Sequence, residues 1–457
     1  MPWTQTAPGV FSRPIGENET FIKLVSDPGH PLRREHWAIN STATISPLGA
    51  LASKTDLPAV LRRAWAHLRF QHPSLAAQVA PDNTHLTYTV PSSPEALQEW
   101  TEQTFTVVSD AASASEVIPT LRPGPYATLY YVPQSGELLG HTAHWRTDGI
   151  GVLMLLDALL ALVAQPDLAD PWSLPWGSEA GRLAPAVEDA AGMPGEPSPA
   201  QKARAQEAVG SFALAAGAVG IPYQGDAATI PAGTRSAHTA LSPAATAAVV
   251  QASKAQGFSV TSAVHASVAA ANFAHAPDHH RGRHYTSTIR LSLRPFLPEP
   301  YSTPAYASGL YTTGWMAKVD ADAGWEAHAR TYQEQYRRGV SPEYLAGHRE
   351  YARSLCDLIR NLPQGGEPPS DVDISSIGIA EKLINPVYGT PDYGVEVRAV
   401  SVGVEMLTRQ AVCFVWTFRN QLNLNVVYNE AFHAPEQMEQ FVGTVKDVLL
   451  KQLGVAE

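Results

Sequence analysis

The sequence predicts a mixed α/β protein built as two lobes of similar size. Three observations carry that reading. First, 44% of the 457 residues are hydrophobic and only 16% charged, which is ample core material at the usual ~100–200 residues per domain. Second, helix and strand signals alternate irregularly along the chain, with no internal repeat. Third, the stretch 166–200 is dense in proline (Pro166, Pro171, Pro175, Pro185, Pro194, Pro197 and Pro199) and reads as an irregular crossover. The expected organisation is an N-terminal lobe over 1–165, a crossover over 166–205 and a C-terminal lobe over 206–457.

The first clear element is an amphipathic helix over 56–70. Asp56 is placed to cap it, Pro58 lies in its first turn, and Val60, Leu61, Ala64, Trp65 and Leu68 recur at helical spacing. Leu86, Tyr88 and Val90 alternate as a half-buried strand. Residues 127–132 and 137–145 flank a turn over 133–136 and read as a hairpin, whose second strand runs into Thr147-Asp148-Gly149. Residues 150–165 follow as a largely buried helix. Beyond the crossover, Ser242-Pro243 opens a helix that Gly257 closes, the N-cap, N1 and C′ asymmetry of helix ends. A second helix covers 261–274 and a strand 285–293. Further strands are expected over 371–380, 393–402 and 411–428. A terminal amphipathic helix over 435–453 carries Met438, Phe441, Val442, Val445, Val448 and Leu449.

Composition excludes several classes of function. The 32 basic and 43 acidic residues give a net charge of −11, and no run exceeds two consecutive Lys/Arg, so a nucleic-acid partner is not expected. Cys356 and Cys413 are too few for a disulfide framework and form no CxxC pair, so they read as buried reduced thiols. The first residues, MPWTQTAPGVFSRP, lack the apolar region of a secretory leader. The longest apolar stretch, 150–164, is interrupted by Asp157 and too short to span a bilayer. A soluble, cytoplasmic monomer without membrane contact is expected.

The segment that carries chemistry is HTAHWRTDGIG, residues 141–151. It contains an HxxxDG pattern from His144 through Asp148 to Gly149. A neutral imidazole titrates near physiological pH and takes the proton of a hydroxyl or amine as that group attacks a carbonyl. Here it would sit at the end of a strand, where the chain turns. A carboxylate four residues on would fix that turn through an arginine or backbone amides. Gly149 would allow a backbone conformation and close helix packing that a Cβ would hinder. His141, three residues before His144, points to the opposite face if both lie on a strand, and reads as packing or surface.

Taken with its context, this motif resembles the chloramphenicol-acetyltransferase-like superfamily, which includes nonribosomal-peptide condensation domains and BAHD acyltransferases. The likeness covers most of the chain: AWAHLRFQHPSL (64–75), HWRTDG (144–149), IRLSLRPFLP (289–298), DISSIGIAEK (373–382) and LNLNVVYNEAFH (422–433). WGSEAGRLAP and SSIGIAEK look most like stand-alone fungal O-acetyltransferases of secondary metabolism, of the trichothecene 15-O-acetyltransferase type. The resemblance implies two lobes with a tunnel between them, a thioester donor entering from one side and the acceptor from the other. It implies His144 as general base and Asp148 as a strut paired with an arginine of the second lobe, Arg294 first and Arg290 as runner-up. Ser376, ahead of Ser375, would help stabilise the oxyanion, unless both serines only bond neighbouring backbone. Acetyl-CoA or another acyl-CoA is implied as co-substrate, with no permanently bound cofactor and no metal. Two departures matter. Condensation domains carry a second His directly before the catalytic one, where this chain has Ala143. The BAHD DFGWG motif is absent; Asp392-Tyr393-Gly394 echoes only its first half.

The resulting expectation is an acyl-CoA-dependent O-acyltransferase, most simply an acetyltransferase, acting on a hydroxyl of a secondary metabolite. The alternatives are a condensation-type enzyme served by a carrier protein, or a cyclase on the same fold. No GxSxG motif or cysteine nucleophile suggests an acyl-enzyme. Two further groups stand out. His275, His279, His280 and His284 have four-residue spacings, but Pro277 and Gly282 break any helix that would align them, and Arg281 and Arg283 add repulsive charge; a solvated loop is expected rather than a zinc site. Tyr301, Tyr306, Tyr311 and Trp315 read as aromatic packing or as part of an apolar acceptor channel.

Overall fold

The longest strand of the first half is one the sequence reading passed over. The computed structural model, which describes residues 2–54, 56–361 and 367–457, places a ten-residue strand at Ile39–Leu48. Its β-branched Ile and Thr residues favour extended backbone. It lies inside a six-stranded sheet, in the order Val387–Thr390, Tyr393–Val404, Ile39–Leu48, Glu137–Thr142, Thr128–Val132 and Phe105–Val107. All neighbours are antiparallel except the last pair. The chain groups into two compact units. The first comprises the residues up to Pro194 together with Leu293–Tyr311 and Glu381–Val404; the second comprises Gly195–Ser292, Thr312–Ala380 and Glu405–Glu457.

Two stretches that the sequence reading assigned to a C-terminal lobe therefore group with the first unit. The reasons are local. Tyr393–Val404 pairs with Ile39–Leu48 from Gly394 opposite Leu48 to Val404 opposite Ile39. Leu293–Tyr311 is tied to the HxxxDG turn by the contacts described below.

The first unit also holds a four-stranded antiparallel sheet of Thr4–Ala7, Val10–Pro14, His85–Thr89 and Gln78–Val79. The early helix spans Leu57–Gln71, and Asp56 caps it by accepting from the Ala59 amide at 2.9 Å. Helix Gly149–Val163 buries Leu153, Leu155, Leu156, Leu159, Leu160 and Leu162; a helix apolar on nearly every face needs protein on nearly every face.

In the second unit, Val372–Ile379, Ala411–Phe418, Gln421–Asn429 and Thr234–Ala240 form one sheet in that order. Its first pair is parallel and the others antiparallel. Tyr285–Ser292 pairs with Thr312–Val319 in a separate two-stranded ladder. Helix Pro243–Ala255 is capped by Ser242 and followed by Gly257 at φ +80°, as its sequence pattern requires. The terminal helix Pro435–Leu453 buries Met438, Phe441, Val442, Val445 and Leu449, with Val448 at its margin.

The sequence reading made 411–428 one strand. It is a hairpin that turns at Arg419 and Asn420, with φ of 51° and 60°. Two consecutive left-handed residues match the twist of the flanking strands, but Arg-Asn lacks the glycine that usually marks such a turn. No helix among the described residues is long and apolar enough to cross a membrane. Because a β-branched residue resists the left-handed region, Asn420→Val is expected to cost about 1–2 kcal/mol, read from the urea midpoint, whereas Asn420→Gly leaves stability unchanged or raised.

Candidate active site

The strand expected to run to residue 145 stops at Thr142, and His144–Arg146 forms a single 3₁₀ turn. Thr147 is extended, and Asp148 is the N-cap of helix Gly149–Val163. His144 thus sits on a turn between a strand and a helix, half-buried. Its Nδ1 lies 3.0 Å from the carbonyl oxygen of Thr147. A carbonyl oxygen only accepts, so Nδ1 carries the proton, and Nε2 is the basic nitrogen of the neutral ring.

Asp148 is surrounded by donors. Its Oδ1 accepts from the amides of Ile150 at 3.1 Å and Gly151 at 2.8 Å. Its Oδ2 accepts from Arg294 Nη1 at 2.7 Å and from the Tyr311 amide at 2.9 Å. Both members of the pair are only 3% exposed. Arg294 Nη2 also donates to the carbonyls of Ala307 at 3.1 Å and Gly309 at 2.9 Å, and the guanidinium lies over the Tyr311 ring at 5.0 Å. A carboxylate that accepts four hydrogen bonds, two at the N-terminus of a helix, is held still. That arrangement suits a strut and leaves little capacity for a second base.

The runner-up arginine is engaged elsewhere. Arg290 Nη2 pairs with Asp373 Oδ2 at 2.8 Å, and its Nη1 donates to the Ile374 carbonyl. Gly149 opens the helix without the left-handed backbone that would call for glycine. The crowded glycine is Gly151, where a Cβ would lie 2.1 Å from the Ala307 carbonyl oxygen and 2.3 Å from Thr147 Oγ1. Sequence reasoning missed this, because both glycines of Asp-Gly-Ile-Gly carry the same local signal.

Arg146 was also missed. It is buried, and donates to Thr142 Oγ1 at 2.7 Å and to the carbonyls of Ser74, Ala77 and Pro125 at 3.1, 2.9 and 2.9 Å. Burial lowers its pKa to about 10. It binds the turn to the loop after the early helix, as His141 binds its strand to the neighbouring one: His141 Nδ1 meets Asn40 Oδ1 at 2.8 Å, and burial pushes the ring down to about 4. The strand-parity argument for His141 does not apply, since His144 is not on the strand, but its position in the interior is that of a packing residue.

In the second unit, Ser376 Oγ lies 3.0 Å from Thr261 Oγ1, on a strand that bulges between Ser376 and Gly378. Bulges re-aim side chains; Ser375 is half-buried beside it. The histidine run is not simply solvated. His280 and His279 lie 2.8 and 3.6 Å from Glu367 Oε1, a carboxylate the sequence reading did not connect to them. The Gly220 amide donates to His280 Nδ1 at 3.1 Å, which puts the ring proton on Nε2, facing Glu367. Arg283 also pairs with Glu367 at 3.0 Å, and hydrogen bonds from Arg283 and His280 hold that carboxyl at about 2. A cation at this point would have to displace the Nε2 proton and the guanidinium, so the donor set favours an ion-pair cluster. His275 and His284 bond elsewhere, to Thr444 Oγ1 and the Leu214 carbonyl. Tyr311 and Trp315 are buried packing residues, while Tyr301 and Tyr306 form a half-buried edge-to-face pair at 4.9 Å. Both cysteines are buried, and burial pushes the Cys413 thiol up to about 12.

No protein-family model matches the chain. Two fungal proteins of Monascus ruber do. Acetyltransferase pigO is 46% identical over 458 residues, covering 100% of this chain and 99% of that one. O-acetyltransferase pigM is 31% identical, covering 100% and 88%. The chain belongs to this family of fungal acetyltransferases. It is an acyltransferase, and its architecture is that of the chloramphenicol-acetyltransferase-like fold. The solved trichothecene 15-O-acetyltransferase TRI3 of Fusarium sporotrichioides superposes with a TM-score of 0.82 over 98% of this chain and 97% of that one, at 18% identity.

The acyltransferase's Asp148 generates a test of strut against base. Asp148→Asn keeps the shape but weakens the bond to Arg294 and leaves a buried guanidinium without its counter-charge. Stability should fall by about 3–5 kcal/mol, measured by denaturant unfolding, with activity falling alongside. A second base would lower activity with unfolding unchanged.

Proposed function

We propose that the protein transfers an acetyl group from acetyl-CoA to a hydroxyl of an apolar secondary metabolite, with His144 as the general base. The observation that carries this is the bond from His144 Nδ1 to the Thr147 carbonyl. It keeps the basic lone pair on Nε2 and leaves Asp148 with the separate task of fixing the turn. In the forward step Nε2 takes the acceptor's proton as the oxygen attacks the thioester carbonyl. The C–O bond forms, the tetrahedral oxyanion collapses and the C–S bond breaks. The imidazolium returns its proton to the CoA sulfur, so the enzyme ends as it began and no acyl-enzyme is required. Ser376 is our candidate donor to the oxyanion, a role typically worth a few kcal/mol. Ala143, in place of a second histidine, supports the free CoA thioester as donor over a carrier-bound one.

The test is a reaction of the protein with acetyl-CoA and a panel of hydroxylated fungal metabolites, read as a mass gain of one acetyl group. His144→Ala should keep the native circular-dichroism spectrum and lose about 10²–10⁴ in rate. A folded variant with near-normal turnover contradicts the base. Transfer from a carrier-bound acetyl group alone, with none from acetyl-CoA, contradicts the donor.

A further inference from the structure

We propose that Thr147 is a positioning residue that sets the protonation form of His144. This rests on the reading of His144 as base and adds a residue to that machinery. The Thr147 carbonyl is the acceptor that keeps the His144 proton on Nδ1. The bond serves only if that carbonyl stays where it is, and the Thr147 side chain is what holds it. The residue is fully buried. Its Oγ1 donates to the Ala307 carbonyl at 2.7 Å, and the same carbonyl accepts from Arg294 Nη2 at 3.1 Å. The hydroxyl and the carbonyl meet directly over Gly151, where a Cβ would lie 2.3 Å from one and 2.1 Å from the other. A missing side chain in the first turn of the helix thus makes room for the anchor of the residue two positions ahead of that helix.

The hydroxyl is therefore not interchangeable with a methyl. An O–H···O contact closes to 2.7 Å, whereas a carbon against a carbonyl oxygen settles at about 3.3–3.6 Å. Valine has the shape of threonine and would push residue 147 off the Ala307 carbonyl by roughly that difference. The backbone carbonyl would move with it, away from His144 Nδ1. Two consequences follow. The neutral ring gains access to the form protonated on Nε2, which cannot act as base. The imidazolium loses a charge-assisted bond, so its pKa falls. Serine keeps the hydroxyl and should keep the geometry.

The experiment compares Thr147→Val, Thr147→Ser and His144→Ala with the parent protein. The probe that needs no acceptor is diethyl pyrocarbonate, which modifies unprotonated imidazole; its rate at His144 is followed against pH by peptide mass spectrometry. Transfer rates with acetyl-CoA are measured alongside, and near-ultraviolet circular dichroism reports packing. Thr147→Val should shift the acid limb of His144 modification to lower pH by about half a unit or more. Its kcat should drop about 10–10²-fold, with the KM for acetyl-CoA nearly unchanged. Thr147→Ser should restore both. An acid limb that does not move in Thr147→Val overturns the proposal, as does a kcat that falls only in step with the folded fraction. Retained activity in His144→Ala is a different failure: it overturns the base reading, while the modification profile still reports whether Thr147 governs the ring.

Discussion

The carboxylate of Asp148 is the point on which the site depends. A buried negative charge persists only if hydrogen bonds and a counter-charge replace its water. Here the replacements come from the adjacent amides that start helix Gly149–Val163 and, from the distant stretch Leu293–Tyr311, the guanidinium of Arg294 and the backbone of Tyr311. Satisfying one side chain therefore fixes the direction of a helix, the path of Leu293–Tyr311 and the turn that carries His144. Arg294 extends the same network to Ala307 and Gly309. The cost of burying the pair is offset by these bonds: each Asp148 oxygen accepts two, and the Ala307 carbonyl accepts from both Arg294 and Thr147.

This separates the two ionisable residues of the HxxxD pattern by environment. His144 is half-buried, and its Nδ1 is oriented by the backbone carbonyl of Thr147. Asp148 is buried and saturated. A carboxylate in direct contact with the imidazole would raise its pKa and favour the imidazolium in the resting enzyme; a backbone carbonyl orients the ring with a weaker effect. Two other motif residues face in different directions. Arg146 faces back toward the loop of Ser74 and Ala77, and Thr147 faces across to Ala307.

Much of the fold was legible because the signals were local. Asp56 before Pro58 and Ser242-Pro243 before Gly257 fixed helix ends through capping chemistry. The alternation of Leu86 and Tyr88 marked a strand. The HxxxDG spacing singled out His144 and Asp148, and the family resemblance of the downstream LR segment pointed to Arg294. What was not legible depended on tertiary contact. Ile39–Leu48 has a modest strand pattern and becomes central only when Tyr393–Val404 pairs along it. The Arg419-Asn420 turn has no glycine to announce it. Gly149 and Gly151 cannot be ranked until Ala307 is known to press against one of them. Glu367 meets His280 across 87 residues of sequence, a contact no spacing rule reveals.

The central claim is that Asp148 and Arg294 act as one unit that holds the turn carrying His144. The most direct measurement is a double-mutant cycle on unfolding free energy, with Asp148→Ala, Arg294→Ala and the pair. Each single change strands the other's buried charge, so the double variant should be less destabilised than the sum of the singles, with a coupling of about 2–3 kcal/mol. Additive losses would mean that the two residues stabilise the protein independently, and would contradict the account.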